Sequence, residues 1–178
     1  MKTISVIFAT LLASACSSGS SNFSKLETVP NVDLRKYSGE WYEIARIDHW
    51  FQKGCVNSKA TYNIRSDGDI DLINTCDVGT DGKKKEAIGR AWVVDSATNA
   101  KLKVQFPLRW IKLPFLAGNY WIIELDDDYR HVMVGEDKRE YLWILSRDKE
   151  MPTQTVAALI EKAKAKGFPV EDLVYQQY

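Results

Sequence analysis

From residue 39 onward the chain alternates short segments rich in Tyr, Trp, Ile and Val with turns that contain Asp, Gly or Asn. This alternation favours β-strands joined by tight connections. Eight antiparallel strands that follow one another can close into an up-and-down barrel, which leaves no exposed strand edge. We therefore predict an all-β fold built on an eight-stranded antiparallel barrel. The predicted strands are 39–46, 58–65, 69–75, 86–94, 102–106, 120–125, 132–135 and 141–146.

In the C-terminal part of the chain, the apolar residues recur with a different period. Apolar residues of segment 153–166 are spaced as on one face of an α-helix. Pro152 can start this helix and Gly167 can end it. Segment 170–175 predicts a short final strand that pairs outside the barrel with the first strand.

Three motifs occur in order along the predicted barrel. Residues 39–46 read GEWYEIAR, residues 128–131 read DYRH, and residues 142–147 read LWILSR. Together they resemble the lipocalin family, and in particular its bacterial lipocalin and apolipoprotein D branch. The resemblance covers roughly residues 30–178, and we assign 31–178 to the lipocalin domain. It implies a short entry helix at 31–35, and a barrel floor where Arg147 lies across Trp41.

The N-terminus has the pattern of an export signal. Lys2 precedes an apolar run at 4–12, which is too short to span a membrane and ends in Ala13-Ser14-Ala15-Cys16. Ordinary cleavage after Ala15 is one interpretation; the other is a signal peptide at 1–15 with lipid attached to Cys16. We favour the second, with 16–30 as a flexible tether. With Ser17 rather than an aspartate after the cysteine, the chain resembles lipoproteins that are sorted to the outer membrane. We therefore expect a lipid anchor on the periplasmic face of that membrane.

Three cysteines are an awkward number for an exported protein. If Cys16 carries lipid, Cys55 and Cys76 remain as a pair on two strands that flank the turn at 66–68. We expect a disulfide between them, with a bulge or loop absorbing an offset in register. The alternative is two independent buried thiols.

Charge and motif content narrow the function. The chain has 24 basic and 24 acidic residues, a balance without the basic excess of a nucleic-acid-binding protein. Its two histidines, His49 and His131, are too few for a histidine-rich metal site, and the common hydrolase motifs are absent. We expect no metal, no cofactor and no enzymatic activity. A cysteine-dependent lipocalin enzyme is the remaining catalytic alternative, and it would need Cys55 or Cys76 as a free thiolate.

Strand alternation predicts which side chains face the barrel interior. The phase follows from Trp41 and Arg147, which the resemblance places inside, and elsewhere from the parity that buries more apolar surface. This inward set is apolar and aromatic, which favours an acyl chain as ligand, and the resemblance implies a fatty acid or lysophospholipid. The predicted ligand-binding residues are Tyr62, Leu72, Ala91, Val104, Phe106, Tyr120, Ile122, Met133, Tyr141 and Trp143.

Several features have more than one interpretation. Parity and the resemblance place Glu43, Glu124 and His131 inward, as a structural network or as an anchor for a ligand head group.

Segment 106–116 is unusually apolar for a loop, so we expect a lid, a membrane contact or a homodimer contact. The alternative to lipid binding is an envelope interaction module with a vestigial pocket, recognisable by a barrel filled with its own aromatic side chains.

Overall fold

The computed structural model describes residues 24–79 and 82–178. Within them, nine strands form one sheet in the order β2-β3-β4-β5-β6-β7-β8-β1-β9, and β1 also pairs with β2. The strands are β1 Gly39–Ile47, β2 Cys55–Ile64, β3 Ile70–Val78, β4 Lys83–Val93, β5 Lys101–Gln105, β6 Gly118–Leu125, β7 His131–Gly135, β8 Leu142–Ser146 and β9 Leu173–Tyr175.

Strand β1 closes the barrel because it pairs along both of its edges. One edge pairs with β8. On the other edge, Gly39–Tyr42 pairs with β2 and Ala45–Ile47 pairs with β9. The predicted eight-stranded antiparallel barrel is confirmed, as is the pairing of the short final strand with the first.

We call the end where β1 begins the floor and the opposite end the rim. Because successive strands are antiparallel, four connections lie at the rim: β1–β2, β3–β4, β5–β6 and β7–β8. The connections between β2 and β3, β4 and β5, and β6 and β7 lie at the floor.

Helix α2, Thr153–Ala165, covers the outer wall of the barrel. Its Leu159 and Ala163 pack on outward-facing residues of β6, β7 and β8 in a second apolar cluster, separate from the barrel interior. Two residues beyond the helix end, Gly167 has a φ of 88°, and the amide of the next residue, Phe168, donates to the carbonyl of Ala163. This is a Schellman cap, for which glycine is preferred because the left-handed conformation costs it least.

The N-terminal segment lies along the outside of the barrel. The Ser24 carbonyl accepts a hydrogen bond from Arg139 at the rim, and Leu26 is buried in the cluster beneath α2. The Val32 amide donates to Thr98 O in the β4–β5 connection at the floor. Residues 24–30, assigned above to a tether, are therefore part of the folded domain, since their apolar side chains find a surface to pack on.

The entry helix lies further along the chain than predicted. Helix α1 spans Leu34–Tyr37, and the Asp33 carboxylate caps it by accepting from the amides of Arg35 and Lys36. Aspartate is favoured at this capping position because its oxygens satisfy amides that lack a helical partner.

Among residues 24–79 and 82–178, no helix is long and apolar enough to cross a membrane. The predicted signal peptide 1–15, the lipid site Cys16 and residues up to 23 lie outside the described residues.

Candidate functional site

The barrel floor is built around Trp41 and Arg147. The Arg147 guanidinium lies 3.9 Å from the centre of the Trp41 indole, which is fully buried. It also donates to backbone carbonyls of α1 and β1, including Glu40 O at 2.6 Å and Lys36 O at 2.7 Å. Gly39 has a φ of 93°, and a Cβ there would lie 3.4 Å from Arg147 Nη1. The glycine of the first motif thus provides the left-handed turn beside the arginine of the third.

One apolar cluster occupies the barrel interior and includes the floor residue Trp41. The structure places nearly all the predicted ligand-binding residues in it: Tyr62, Leu72, Ala91, Val104, Phe106, Tyr120, Ile122 and Trp143. Tyr141 lies beside them, with its ring stacked on Trp143 at a centroid distance of 6.1 Å. Ile122 is fully buried, whereas the inward-facing Val104, Phe106 and Trp143 keep partial exposure. The protein therefore leaves these three inward-facing side chains incompletely covered.

Met133 does not face the interior, so this prediction is wrong. Met133 is fully buried in the outer cluster beneath α2, while its neighbours Val132 and Val134 face inward. Their partners across the strand pair, Leu145 and Trp143, also face inward. His131 shares the outward parity of Met133, and its imidazole lies at the floor end near Asp126.

Glu124 also faces outward, contrary to the prediction. A bulge between Ile122 and Glu124 adds one residue to β6 and reverses the alternation. The carboxylate of Glu124 then lies 2.7 Å from the Lys162 ammonium and 3.1 Å from that of Lys166, both at the end of α2. Glu124 therefore attaches the helix to the barrel wall.

Three tyrosine hydroxyls meet inside the barrel. Tyr120 Oη lies 2.6 Å from Tyr37 Oη and 2.8 Å from Tyr62 Oη. Burial raises the pKa of all three phenols, that of Tyr62 to about 12. The hydroxyls are therefore protonated at neutral pH and satisfy one another in an otherwise apolar part of the interior.

A buried charged network lies further along β1, toward the rim. In the pairing of β1 with β8, Glu43 lies opposite Leu145 and Arg46 lies opposite Trp143. Both partners face inward, so Glu43 and Arg46 face the interior as well. Arg46 Nη1 donates to Glu43 Oε1 at 2.5 Å, and the Gln52 amide donates to Glu43 Oε2 and to Ser58 Oγ. Burial raises the pKa of Glu43, although Arg46 acts in the opposite direction.

The same network reaches an aromatic group beneath the rim. The Trp143 indole donates to Gln52 Oε1 at 3.3 Å. His49 stacks on Phe51 at 3.7 Å and meets the edges of Tyr141 and Trp143. Burial lowers the pKa of His49 to about 4, so its imidazole is neutral at neutral pH. The carboxylate and the amide are thus held by hydrogen bonds, whereas the buried imidazole contacts aromatic rings and its nitrogens have no hydrogen-bond partner among the described residues.

Gly89 makes room for Phe106 inside the barrel. A Cβ on Gly89 would lie 3.0 Å from the Phe106 ring and 3.0 Å from the Gln105 carbonyl. The glycine therefore lets the ring lie directly against β4, beside Leu72 and Ala91 in the interior lining.

Cys55 and Cys76 form a disulfide, with their Cα atoms 5.4 Å apart. Cys55 pairs in register with Val78, two residues beyond Cys76, and a register shift between Val56 and Lys59 takes up one residue of the offset. This is the predicted irregularity. The bond also removes the free thiolate that a reaction at either of these cysteines would need.

Residues 32–178 match the family model described as a lipocalin-like domain. The chain belongs to the lipocalin family. Among its relatives is temperature-induced lipocalin-1 of Arabidopsis thaliana, 37% identical over 156 residues, which covers 84% of this chain and 81% of the relative. Outer membrane lipoprotein Blc of Escherichia coli K12 is 37% identical over 169 residues, covering 95% and 92%.

More distant relatives agree with this assignment. Apolipoprotein D of Mus musculus is 29% identical over 186 residues, covering 97% of this lipocalin and 94% of the relative. The solved structure of insecticyanin from the tobacco hornworm Manduca sexta superposes with a TM-score of 0.68 at 16% identity, covering 88% and 86% of the two chains. At that identity the superposition shows the shared fold alone.

Segment 106–116 of this lipocalin connects β5 to β6 and folds back along the outer wall toward the β2–β3 connection. The buried Gln105 amide donates to the carbonyls of Pro107, Leu108 and Ile111, and its oxygen accepts from the Leu113 amide. Lys112 lies 2.8 Å from the Asp69 carboxylate. The loop is therefore fixed to the outer wall of the lipocalin barrel, while several of its apolar side chains remain exposed.

Sequence reasoning missed the parts of the lipocalin interior that combine loops and strands. Gln52 and His49 come from the β1–β2 connection, and Tyr37 comes from α1. These three residues are polar or lie outside the predicted strands, so the sequence did not indicate that they would be buried. The alternation of β1 did indicate Glu43, whose carboxylate then needed a buried partner.

Proposed function

We propose that this lipocalin binds single-chain lipids, fatty acids or lysophospholipids, in the barrel interior. The observation that carries the proposal is the inward-facing apolar and aromatic lining, of which Val104, Phe106 and Trp143 keep partial exposure. A small polar metabolite would gain little from such a surface, whereas an acyl chain gains about 0.8 kcal/mol for each CH₂ that it buries.

The energy available from chain burial is sufficient without specific recognition. About ten buried methylenes would supply up to roughly 8 kcal/mol before ordering costs, which corresponds to about micromolar binding. We assign the ligand contacts to the predicted residues without Met133: Tyr62, Leu72, Ala91, Val104, Phe106, Tyr120, Ile122, Tyr141 and Trp143.

We further propose that the mature chain begins at a lipidated Cys16 and is anchored on the periplasmic face of the outer membrane. The support is the signal-like sequence at 1–15 and the full-length similarity to relatives named outer membrane lipoprotein Blc. The anchor would keep a carrier of modest affinity at high local concentration beside its cargo. Storage or transport of lipids for membrane maintenance is the role that fits both features.

The test is native mass spectrometry with lipid extraction on protein purified from cells, followed by titration of tryptophan fluorescence with fatty acid and lysophospholipid. Trp143→Ala should weaken acyl binding about tenfold or more, because about 1.5–3 kcal/mol accompanies the burial of a large apolar side chain. Trp121→Ala is the matched control, since Trp121 packs on the outer wall with α2. It should leave the affinity unchanged.

The second candidate is an envelope interaction module. The observation in its favour is the tyrosine group of Tyr37, Tyr62 and Tyr120, which occupies part of the interior with protein side chains. A protein that carries no co-purified lipid and ignores every acyl ligand offered would exclude the lipid carrier and favour this alternative.

A further inference from the structure

The point at which the chain leaves the barrel constrains how an anchored lipocalin sits on a membrane. Ser24 lies at the rim, where its carbonyl accepts from Arg139 Nη2 at 2.6 Å. Arg139 belongs to the β7–β8 connection and also donates to the Lys166 carbonyl at the end of α2. The chain therefore departs toward Cys16 from the rim and not from the floor.

The chain length makes this exit point decisive. Eight residues, from Ser24 to Val32, carry the chain from the rim to the floor along the outer wall. Eight residues also separate Cys16 from Ser24, and they reach at most about 26–29 Å when fully extended. If the floor faced the membrane, the segment from Cys16 to Ser24 would need its full length to pass along the barrel wall. If the rim faces the membrane, the segment needs almost none of that length.

Two of the three most exposed large apolar side chains of the described residues, Trp50 and Phe115, lie toward the rim. Trp50 is 82% exposed, Phe115 80% and Trp110 73%, while no other large apolar side chain among those residues exceeds 53%. Trp50 lies in the β1–β2 connection and Phe115 lies just before β6, four strands away around an eight-stranded barrel. Trp110 lies between Arg109 and Lys112, which pair with Asp71 and Asp69 on the floor side of the outer wall. Two separate parts of the rim are thus apolar.

The chemistry of this surface fits a bilayer interface. Tryptophan is enriched where membrane meets water, because its ring is apolar and its indole nitrogen can donate to headgroups. Exposed Lys53 and Lys83, Lys84 and Lys85 lie in or beside connections at the same end. Cationic side chains near a surface of anionic lipids add attraction.

We propose that the rim faces the bilayer, with Trp50 and Phe115 in the membrane interface, so that the barrel interior opens toward the lipid surface. This orientation rests on the proposed lipid anchor at Cys16. Cargo then passes between bilayer and barrel at the rim without crossing the aqueous compartment.

The orientation is measured with the mature lipidated protein in vesicles of phosphatidylethanolamine and phosphatidylglycerol. Nitroxide labels are placed singly by Trp50→Cys, Phe115→Cys and the floor control Val94→Cys, an exposed position after β4. Electron paramagnetic resonance then compares the access of oxygen, which concentrates in lipid, with that of a water-soluble nickel chelate. The labels at 50 and 115 should favour oxygen, and the label at 94 should favour nickel.

Other results overturn the orientation. Three water-exposed labels, or a lipid-exposed label at 94, show that the rim does not face the bilayer. Labels at 50 and 115 that are shielded from both reagents and broadened by spin–spin coupling show that the rim is covered by a second copy of the chain. The intact mass of the protein reports the lipid on Cys16 separately, so failure of the anchor is distinguished from failure of the orientation.

A second experiment tests the consequence for exchange. The double variant W50S/F115S should slow the transfer of a fluorescent lysophospholipid between vesicles about tenfold or more, as expected for loss of two interfacial anchors. Its affinity for the same lipid in solution should stay unchanged, because neither residue belongs to the interior lining. Equal losses in affinity and transfer would place these side chains in the pocket and overturn the proposal, as would unchanged transfer.

Discussion

At the level of single residues, the buried charges of β1 depend on one another. Glu43 is 3% exposed and Arg46 is 2% exposed, and their ion pair at 2.5 Å is completed by the Gln52 amide. A second carboxylate, that of Asp48, lies 3.8 Å from Arg46 but is half exposed. Removing either member of a buried pair leaves the other charge desolvated without compensation. We therefore assign this network to the stability of the fold in the first place.

We expect Glu43→Ala to lower the free energy of unfolding by about 3 kcal/mol, the lower part of the range for breaking a buried pair. Glu40→Ala is the matched control on the same strand, because Glu40 forms a partly exposed pair with Lys59 at 2.5 Å. The control should cost less than about 1 kcal/mol. Urea unfolding measures both.

Lipid affinity, titrated on the same variants, separates two roles of Glu43. A structural carboxylate loses stability and keeps most of its affinity for acyl ligands at temperatures where the variant is folded. Collapse of affinity with an unchanged melting temperature would instead identify Glu43 as an anchor for the ligand head group.

At the level of elements, close contacts between strands depend on small residues at particular positions. Gly89 of β4 admits the Phe106 ring, and Gly135 of β7 admits Phe168, whose ring carbon would lie 2.6 Å from an added Cβ. The first contact shapes the barrel interior and the second holds the end of α2 against the outer wall. Neither glycine has a positive φ. Each is therefore needed for the space that its missing side chain leaves and not for its backbone conformation.

Gly89→Ala should lower the free energy of unfolding by about 1–3 kcal/mol, as for overpacking of a close-packed core. Lipid affinity should fall as well, because the added methyl group displaces Phe106 from the interior lining. Gly118→Ala is the control, since a Cβ there meets no atom within 4 Å. It should change stability by less than about 0.5 kcal/mol. If the two substitutions changed the melting temperature equally, the contact with Phe106 would not be the reason for a glycine at position 89.

At the level of the whole molecule, two apolar clusters share one barrel wall. The inner cluster lines the interior, and the outer cluster joins α2, β9 and the N-terminal segment to β6, β7 and β8. Where both faces of a strand are covered, the wall carries apolar residues on both sides. The Cys55–Cys76 bond adds a covalent link between β2 and β3 near the rim.

Reduction of this disulfide should lower the free energy of unfolding by about 3 kcal/mol, since the bond closes a loop with a sequence separation of 21. Chemical unfolding of the oxidised and reduced protein, with C55S/C76S as a check on reduction, measures the difference. The far-ultraviolet circular dichroism of the folded protein should not change, because the barrel is closed by the pairing of β1 with β8 and β2. Coincident unfolding curves would show that the cross-link contributes nothing.

The sequence by itself determined the architecture, because its signals are local. Alternation and turn residues located the eight barrel strands, and helical spacing together with Gly167 located α2. The motif residues also indicated the contact between Arg147 and Trp41, which is 3.9 Å in the structure.

Only the tertiary structure decided the facing of Met133, His131 and Glu124. β7 is apolar on both faces because the interior covers one and α2 covers the other, so alternation could not choose between them. The bulge in β6 reverses the parity of Glu124 without any local mark in the sequence. The tertiary structure likewise brought Ser24 to the rim, through contacts with residues more than 100 positions away. Local patterns determine which elements form, whereas the side of the wall that each residue meets depends on what packs against it.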